Sequence, residues 1–462
     1  MPGEDKIKSV LVLMMENRSF DHIFGDMPGV DGLFQPDGQF KPDVFNTMDP
    51  ETNPDGDKSL YHWPSPITPL TQGVISHDFN HNFGNGMLSD LYGPSAQGIV
   101  GGAPVGAKQT WPPHNAGFLS TIAWNAHGHP PNGPTSMSYF QWGTLKALHP
   151  LAKEFVVCDN WYCDMPGQTW ANRVFLHCAQ TGGLIEDDGG APMADLESIY
   201  DLLKQHGRTW KMYAKGTHCD TEYLNATVDS QRWTAASPDA PNVSYVPFSQ
   251  LKDDIQNGQL PDFGFIMCWD TPQTVEGDTS MHPGHPSNPV NGGENLIASI
   301  YNLLRGSPAS WDQTLFIVTF DENGGMYDHK PPPAAPSPVD PPVVGTFYDN
   351  DPPPQGPARQ FDFTLLGPRV PALLISPHLA HGIDGTQYQN TSITRFAEEL
   401  AETSTGAQPR SIHLTQRDQQ APSLSSAFFQ FGLSSPRPDC LTQLEYYDGS
   451  PGILWPGPDL GT

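Results

Sequence analysis

Ser9-Val-Leu-Val-Leu-Met-Met15 runs directly into Glu16-Asn17-Arg18-Ser19-Phe20-Asp21-His22. A continuous apolar run of this length reads as a strand buried on both faces, the usual form inside a mainly parallel sheet. Ligands of open α/β sheets bind beyond the carboxyl ends of such strands. Glu16 and Asn17 stand at that point, and a carboxylate beside an amide can turn two oxygens toward a hard cation. The same residues also suit a helix start, with Asn17 or Ser19 as cap and Asp21 facing the positive end of the dipole.

A second apolar run, Thr314-Leu-Phe-Ile-Val-Thr-Phe320, delivers Asp321-Glu322-Asn323-Gly324-Gly325 and then Tyr327-Asp328-His329. Two adjacent carboxylates at the end of a buried strand repel each other unless a cation or a proton intervenes. Metal binding is therefore the better reading here than a polar turn, and the paired glycines allow close backbone approach. Further strands are expected at 154–159, 263–268 and 370–376, with helices at 194–206, 294–304, 391–400 and from Trp170 onward. The alternation of short apolar runs and helical segments predicts an α/β fold with a mainly parallel sheet and helices on both faces.

Met165-Pro-Gly-Gln-Thr169-Trp-Ala-Asn172-Arg173 joins a strand to a helix. A hydroxyl there sits among free N–H groups and suits an anionic phosphate. Contact with a divalent metal lowers the pKa of such a hydroxyl enough for attack near neutrality. Taken alone, Thr169 is better read as the cap of its helix.

The chain has 462 residues, of which 37% are hydrophobic, with 45 Gly and 49 Pro. That share of turn formers places long loops on a rigid body, where enzymes keep binding groups. Three structure-poor stretches, near 26–74, 82–134 and 330–368, are expected to form a loop-rich cap on one α/β domain spanning 1–462. A net charge of −28 excludes nucleic acid as a natural partner and disfavours anionic membranes. No run approaches the ~18 apolar residues of a spanning helix. The first residues lack a basic then apolar leader, so the chain is expected to stay inside or to have lost its leader before this numbering begins. The six cysteines show no zinc spacing; Cys158 and Cys163 could bridge, or all could be buried thiols.

Together these elements resemble the phosphoesterase family of non-specific phospholipases C and acid phosphatase A type enzymes. The resemblance rests on Met15-Glu16-Asn17-Arg18-Ser19-Phe20-Asp21-His22-Ile23-Phe24-Gly25, on Thr169-Trp-Ala-Asn172-Arg173, on the 320–329 acidic motif and on Gly367-Pro-Arg-Val-Pro371. It implies an alkaline-phosphatase-like core and one or more divalent metal ions held by Glu16, Asn17, Asp321, Glu322 and Thr169. Calcium, magnesium, manganese or zinc would suit these ligands. It also implies Thr169 as nucleophile, forming a phosphothreonine that water hydrolyses. Asn172, Arg173 and His81 would contact the substrate, and His77, His81, His282 or His285 would protonate the leaving oxygen. Three positions depart from the family pattern: Ala171 replaces a common Pro, Asn323 a common His, and Gln389-Asn390 an Asp-His pair.

The expected activity is phosphate-ester hydrolysis, of phospholipid in the manner of a phospholipase C or of monoesters in the manner of an acid phosphatase. A binding protein on a degenerate scaffold would require a lost nucleophile or ligand, and none is lost. A sulfatase would need a modified Cys or Ser where Thr169 stands.

Overall fold

Strand β1 (Ser9–Met15) is buried at every residue, and so is the strand Thr314–Phe320 beside it. Burying each such aliphatic side chain contributes about 1.5–3 kcal/mol, which makes this pair the natural centre of the sheet. The computed structural model describes residues 3–47, 61–67, 82–92, 115, 117–118, 135–186, 196–214, 245–267, 290–347, 359–406, 408 and 410–447.

The main sheet adds β2 (Val156–Cys158), β3 (Trp210–Ala214), β4 (Tyr245–Pro247), β5 (Phe263–Met267), β6 (Thr314–Phe320), β7 (Ala372–Ile375) and β8 (Gly382–Asp384). Their order is β8-β2-β7-β6-β1-β5-β3-β4. All pairings are parallel except those of β7, which runs against both β6 and β2. That single reversal matters for the site. The carboxyl ends of β1, β2 and β6 share one edge of the sheet, and the chain entering β7 reaches the same edge.

The principal helices are α1 (Phe20–Phe24), α2 (Thr169–Cys178), α3 (Ile199–Gln205), α4 (Phe248–Asn257), α5 (Asn291–Arg305) and α6 (Thr391–Thr405). Strand β3 shows that both faces of the sheet are covered, because alternate side chains of a strand point opposite ways. Trp210 packs at a tilt against Tyr200 of α3, with ring centroids 4.7 Å apart. Lys211 and Tyr213 instead reach Asp254 of α4, the tyrosine hydroxyl donating across 2.8 Å. Helices α2, α3 and α6 pack with one another, and α4 packs with α5.

Sequence and structure differ in detail. The helix expected from 194 begins at Ile199, where Ser198 and Asp201 form a reciprocal capping box that fixes the start. Strands β3, β4 and β8 were not anticipated, and β7 lies at the expected place but reversed. Cys158, Cys163, Cys178 and Cys440 are buried free thiols. No helix among the described residues is long and apolar enough to cross a membrane. Asn53–Asp57, a stretch that faintly resembles a calcium loop but lacks the closing Glu and is better read from sequence as a turn, lies outside the described residues.

Two smaller apolar clusters lie beside the main core. One joins Phe83, Leu88 and Leu91 to Phe175 of α2 and to Phe361 and Phe363. The other joins Leu33 and Val44 to Phe118, Met137, Tyr139 and Tyr327. Parts of the three structure-poor stretches are thus anchored by their own buried side chains.

Candidate active site

The β1–β6 register pairs Ser9 with Thr314 and continues to Met15 with Phe320, so Glu16 and Asp321 emerge side by side. Asp321 N–H donates to the Met15 carbonyl across 3.0 Å, and Arg18 N–H donates to the Glu322 carbonyl across 3.1 Å. Asn17 N–H donates to Asp321 Oδ1 across 3.3 Å. Asn17 adopts φ 62°, a left-handed conformation that asparagine tolerates better than most residues. Gly324 lies against it, also with φ 62°, and a Cβ there would stand 2.8 Å from the Asn17 Cβ and carbonyl oxygen. The glycine is therefore required by space as well as by backbone.

Glu16, Asn17, Asp321 and Glu322 are each at most 2% exposed. Arg173 of α2 joins them: its Nε donates to Asp321 Oδ2 across 3.0 Å and its Nη2 to Glu16 Oε1 across 3.2 Å. One guanidinium cannot neutralise two carboxylates. Burial accordingly pushes the Asp321 carboxyl above its usual range, although Arg173 and the N–H donors pull the other way. Glu322 Oε2 accepts from Gly324 N–H across 2.6 Å. The Asn17 side-chain oxygen and nitrogen are both buried without a hydrogen-bond partner among the described residues. An all-oxygen donor set with residual negative charge and an unsatisfied amide oxygen fits a hard divalent cation.

Thr169 is the first residue of α2, buried, and one helical turn before Arg173 on the same face. Thr169 therefore lies on the helix face that carries Arg173 toward the carboxylates. Asn172 has a different place from the one expected. Its Oδ1 accepts from Met165 N–H across 3.0 Å, and its Nδ2 donates to the Gly167 and Gln168 carbonyls across 3.0 and 3.2 Å. Both ends of the amide are committed to the turn that presents Thr169.

The sequence profile of the Phosphoesterase family matches residues 7–402. The chain belongs to this family. Similar proteins include non-specific phospholipase C5 of Arabidopsis thaliana, 28% identical over 94% of this chain and 76% of its own length. Phospholipase C B of Mycobacterium tuberculosis is 29% identical over 80% of this chain and 68% of its own. Non-hemolytic phospholipase C of Burkholderia pseudomallei is 28% identical over 85% of this chain, which spans only 55% of that relative. Among solved structures, an alkaline phosphatase superfamily protein from Vibrio parahaemolyticus is 15% identical with a TM-score of 0.30, covering 56% of this chain and 61% of its own.

Within this phosphoesterase, a second charged cluster lies beside the first. Asp21, Asp328 and His329 offer two carboxylates and an imidazole within 4.8 Å of one another, a set that could hold a metal. Arg369, at the entry to β7, already fills that position. Its Nε donates to Asp328 Oδ1 across 2.9 Å and its Nη2 to Asp21 Oδ1 across 3.0 Å, while Nη1 donates to the Asp31 and Asp159 carbonyls. His329 Nδ1 lies 2.7 Å from Asp21 Oδ2, and its Nε2 lies 3.4 Å from Asp31 Oδ1. Burial alone would lower the His329 pKa, but Asp21 and Asp31 raise it to about 9. This cluster is an ion-pair network that ties the first signature to the acidic motif.

Arg369 was not among the expected site residues; an arginine framed by two prolines beside a strand was the signal that could have marked it. His77, His81, His282 and His285 lie outside the described residues. His22 is buried, and burial together with Arg18 holds its pKa well below the ordinary value. Asn323, where the family commonly has His, turns its Nδ2 to the Met326 carbonyl across 2.9 Å.

Proposed function

We propose that this phosphoesterase cleaves phosphate esters by a two-step displacement at Thr169, acting on phospholipids in the manner of a phospholipase C. The observation that carries the reading is the single constellation formed by Glu16, Asn17, Asp321 and Glu322 with Arg173, one turn from Thr169 on the same helix. Glu16, Asn17, Asp321, Glu322 and the Thr169 hydroxyl would hold a divalent cation, which when bound lowers the pKa of an oxygen nucleophile and screens phosphate charge. Calcium, magnesium, manganese and zinc are the candidates.

In the first step the Thr169 hydroxyl gives up its proton to solvent water and its oxygen bonds to phosphorus as the ester oxygen departs with its electron pair. An imidazole, His77, His81, His282 or His285, supplies the proton that makes the leaving group an alcohol. In the second step water attacks the phosphothreonine, returning the hydroxyl and releasing the phosphate product. The α2 N-terminus contributes N–H groups suited to the non-bridging oxygens. Arg173 orients Asp321 and Glu16 rather than the substrate in this arrangement, and Asn172 holds the 165–168 turn.

The segments near 26–74, 82–134 and 330–368 act as the cover that selects substrate. What supports phospholipid over simple monoesters is the company of the chain: the relatives named above carry the name phospholipase C. A panel of phosphatidylcholine, a soluble phosphocholine diester and a phosphate monoester, run with and without chelator, tests the proposal. Diester cleavage abolished by chelator and restored by one of the four cations is the expected result. Monoester turnover alone would establish the acid phosphatase reading instead, and turnover insensitive to chelation would remove the metal.

A further inference from the structure

Asparagine is among the best helix N-caps, because its side chain ordinarily accepts from the first free N–H groups of its own helix. Asn390 occupies that position before α6 and makes no side-chain cap. The capping is done from elsewhere: Asp164 Oδ2 accepts from Thr391 N–H across 3.0 Å, and Asp164 Oδ1 from the Thr391 hydroxyl across 2.9 Å. Freed of its local task, the Asn390 amide bridges two remote segments. Its Oδ1 accepts from Trp161 Nε1 across 2.9 Å, and its Nδ2 donates to the Asp321 carbonyl across 3.1 Å. Asn390 and Trp161 are both fully buried.

These two contacts span the halves of the site. Asp321 begins the acidic motif at the end of β6. Trp161 opens the segment that leads through Asp164 and the 165–168 turn to Thr169, and it is held in parallel register with Tyr388. Gln389 adds a further tie, its Nε2 donating to Asp164 Oδ1 across 3.1 Å.

We propose that Asn390 is a positioning residue of the hydrolytic site, fixing the Asp321 strand end relative to the segment that presents Thr169. A buried amide is not needed for packing, since an apolar side chain fills space without unsatisfied groups. What only the amide does is accept from one segment while donating to the other. The Asn390 amide thereby takes a fixed place in the scaffold, with its oxygen and its nitrogen both spent on protein partners rather than open to a ligand.

The inference rests on the phosphoesterase reading above, and the test separates the two. Asn390→Ala and the control Ser392→Ala are compared with wild type for kcat and KM on a soluble phosphocholine diester, for Mn2+ affinity by calorimetry, and for the Trp161 indole N–H resonance. Ser392 belongs to the same helix start, its hydroxyl accepting from Gln389 N–H across 3.1 Å, with no hydrogen bond to Asp321 or Trp161 among the described residues. Asn390→Ala should lower kcat and weaken Mn2+ binding each by about 10- to 100-fold, the range seen when a partner of a ligand is removed. KM should change less than threefold, the indole N–H should lose exchange protection, and Ser392→Ala should match wild type in all four readouts. Trp161→Phe should reproduce the kcat loss in part, and its combination with Asn390→Ala should be less than additive. Equal losses in Ser392→Ala and Asn390→Ala, or kcat and Mn2+ affinity within twofold of wild type in Asn390→Ala, would overturn the proposal. An inactive wild type would refute the phosphoesterase reading, whereas the Mn2+ and indole readouts would still decide the role of Asn390.

Discussion

Arg173 and Asp321 meet through Nε and Oδ2 at 3.0 Å, both side chains withdrawn from solvent. This pair welds α2, which begins at Thr169, to the end of β6, which carries the acidic motif. Its second arm, to Glu16 at 3.2 Å, adds the end of β1. Three segments far apart in sequence are held at one point by a single guanidinium.

Replacing Arg173 by Met should leave Glu16 and Asp321 buried without their shared counter-charge, at a cost of about 3–5 kcal/mol. Urea unfolding in chelator should show that loss, and millimolar Mn2+ should recover part of it because the ion takes over neutralisation. Arg173→Lys should be intermediate, since a single ammonium lacks the fork that serves both carboxylates. A variant as stable as wild type in chelator would mean that the bridge contributes nothing.

Thr169→Val should abolish turnover while leaving the unfolding transition within about 1 kcal/mol of wild type, because the change keeps shape and removes the hydroxyl. Thr169→Ser should keep measurable activity. More than about a tenth of wild-type kcat in the valine variant, equivalent to a barrier change of only ~1.4 kcal/mol, would rule Thr169 out as nucleophile.

The parts legible in the sequence were those written in uninterrupted apolar runs. Residues 9–15 and 314–320 announced themselves, and placing carboxylates at their ends followed from strand polarity alone. The reversal of β7 was not legible, because Ala372–Ile375 reads the same in either direction. Nor were β4 and β8, three residues each, whose identity depends on the neighbours they pair with. Polar side chains were read as facing substrate when their partners were distant in sequence. Asn172 turned out to hold its own turn, and Asn390, read as the loss of an imidazole, ties Trp161 to Asp321. Local pattern states which residue is polar; only the fold states what it touches.

The His329 ring gives a pH dependence with a definite sign. Burial opposes its charging, but Asp21 and Asp31 raise its folded pKa to about 9, above the unfolded value of about 6.5. Its contribution is fully present below pH 6.5 and is lost as pH rises through 9, amounting at most to about 3 kcal/mol. The melting temperature should therefore decline between pH 6.5 and 9. His329→Gln should be less stable at pH 6 and show a flatter profile over that window. If wild type and variant decline in parallel, the ring carries no such charge.

Substrate choice can be read from the aromatic side chains of the segments near 26–74 and 82–134. Of Trp63, Trp111, Phe118, Leu119 and Trp124 in these segments, which the sequence leaves open between facing lipid and simply packing the cap, Phe118 is buried and packs edge-on against Tyr327 with ring centroids 5.6 Å apart, so it anchors the segment. Trp111, Leu119 and Trp124 lie outside the described residues. Trp63 behaves differently: it is 40% exposed, stacked on Phe40 at 5.6 Å and tilted against Phe45 at 5.8 Å. Phe40 in turn packs on the cluster that contains Tyr327, one residue before Asp328. If the enzyme acts on lipid as proposed, an exposed indole backed by rings is a side chain suited to the membrane interface. At such an interface the chain's −28 charge would favour zwitterionic over anionic surfaces. Trp63→Ala should therefore slow phosphocholine release from phosphatidylcholine vesicles by roughly tenfold, equivalent to ~1.4 kcal/mol, while leaving a soluble short-chain diester unaffected. Adding phosphatidylserine to the vesicles should slow the wild type. Brisk monoester turnover with neither vesicles nor short-chain phosphatidylcholine cleaved would defeat the lipase reading and leave a phosphatase.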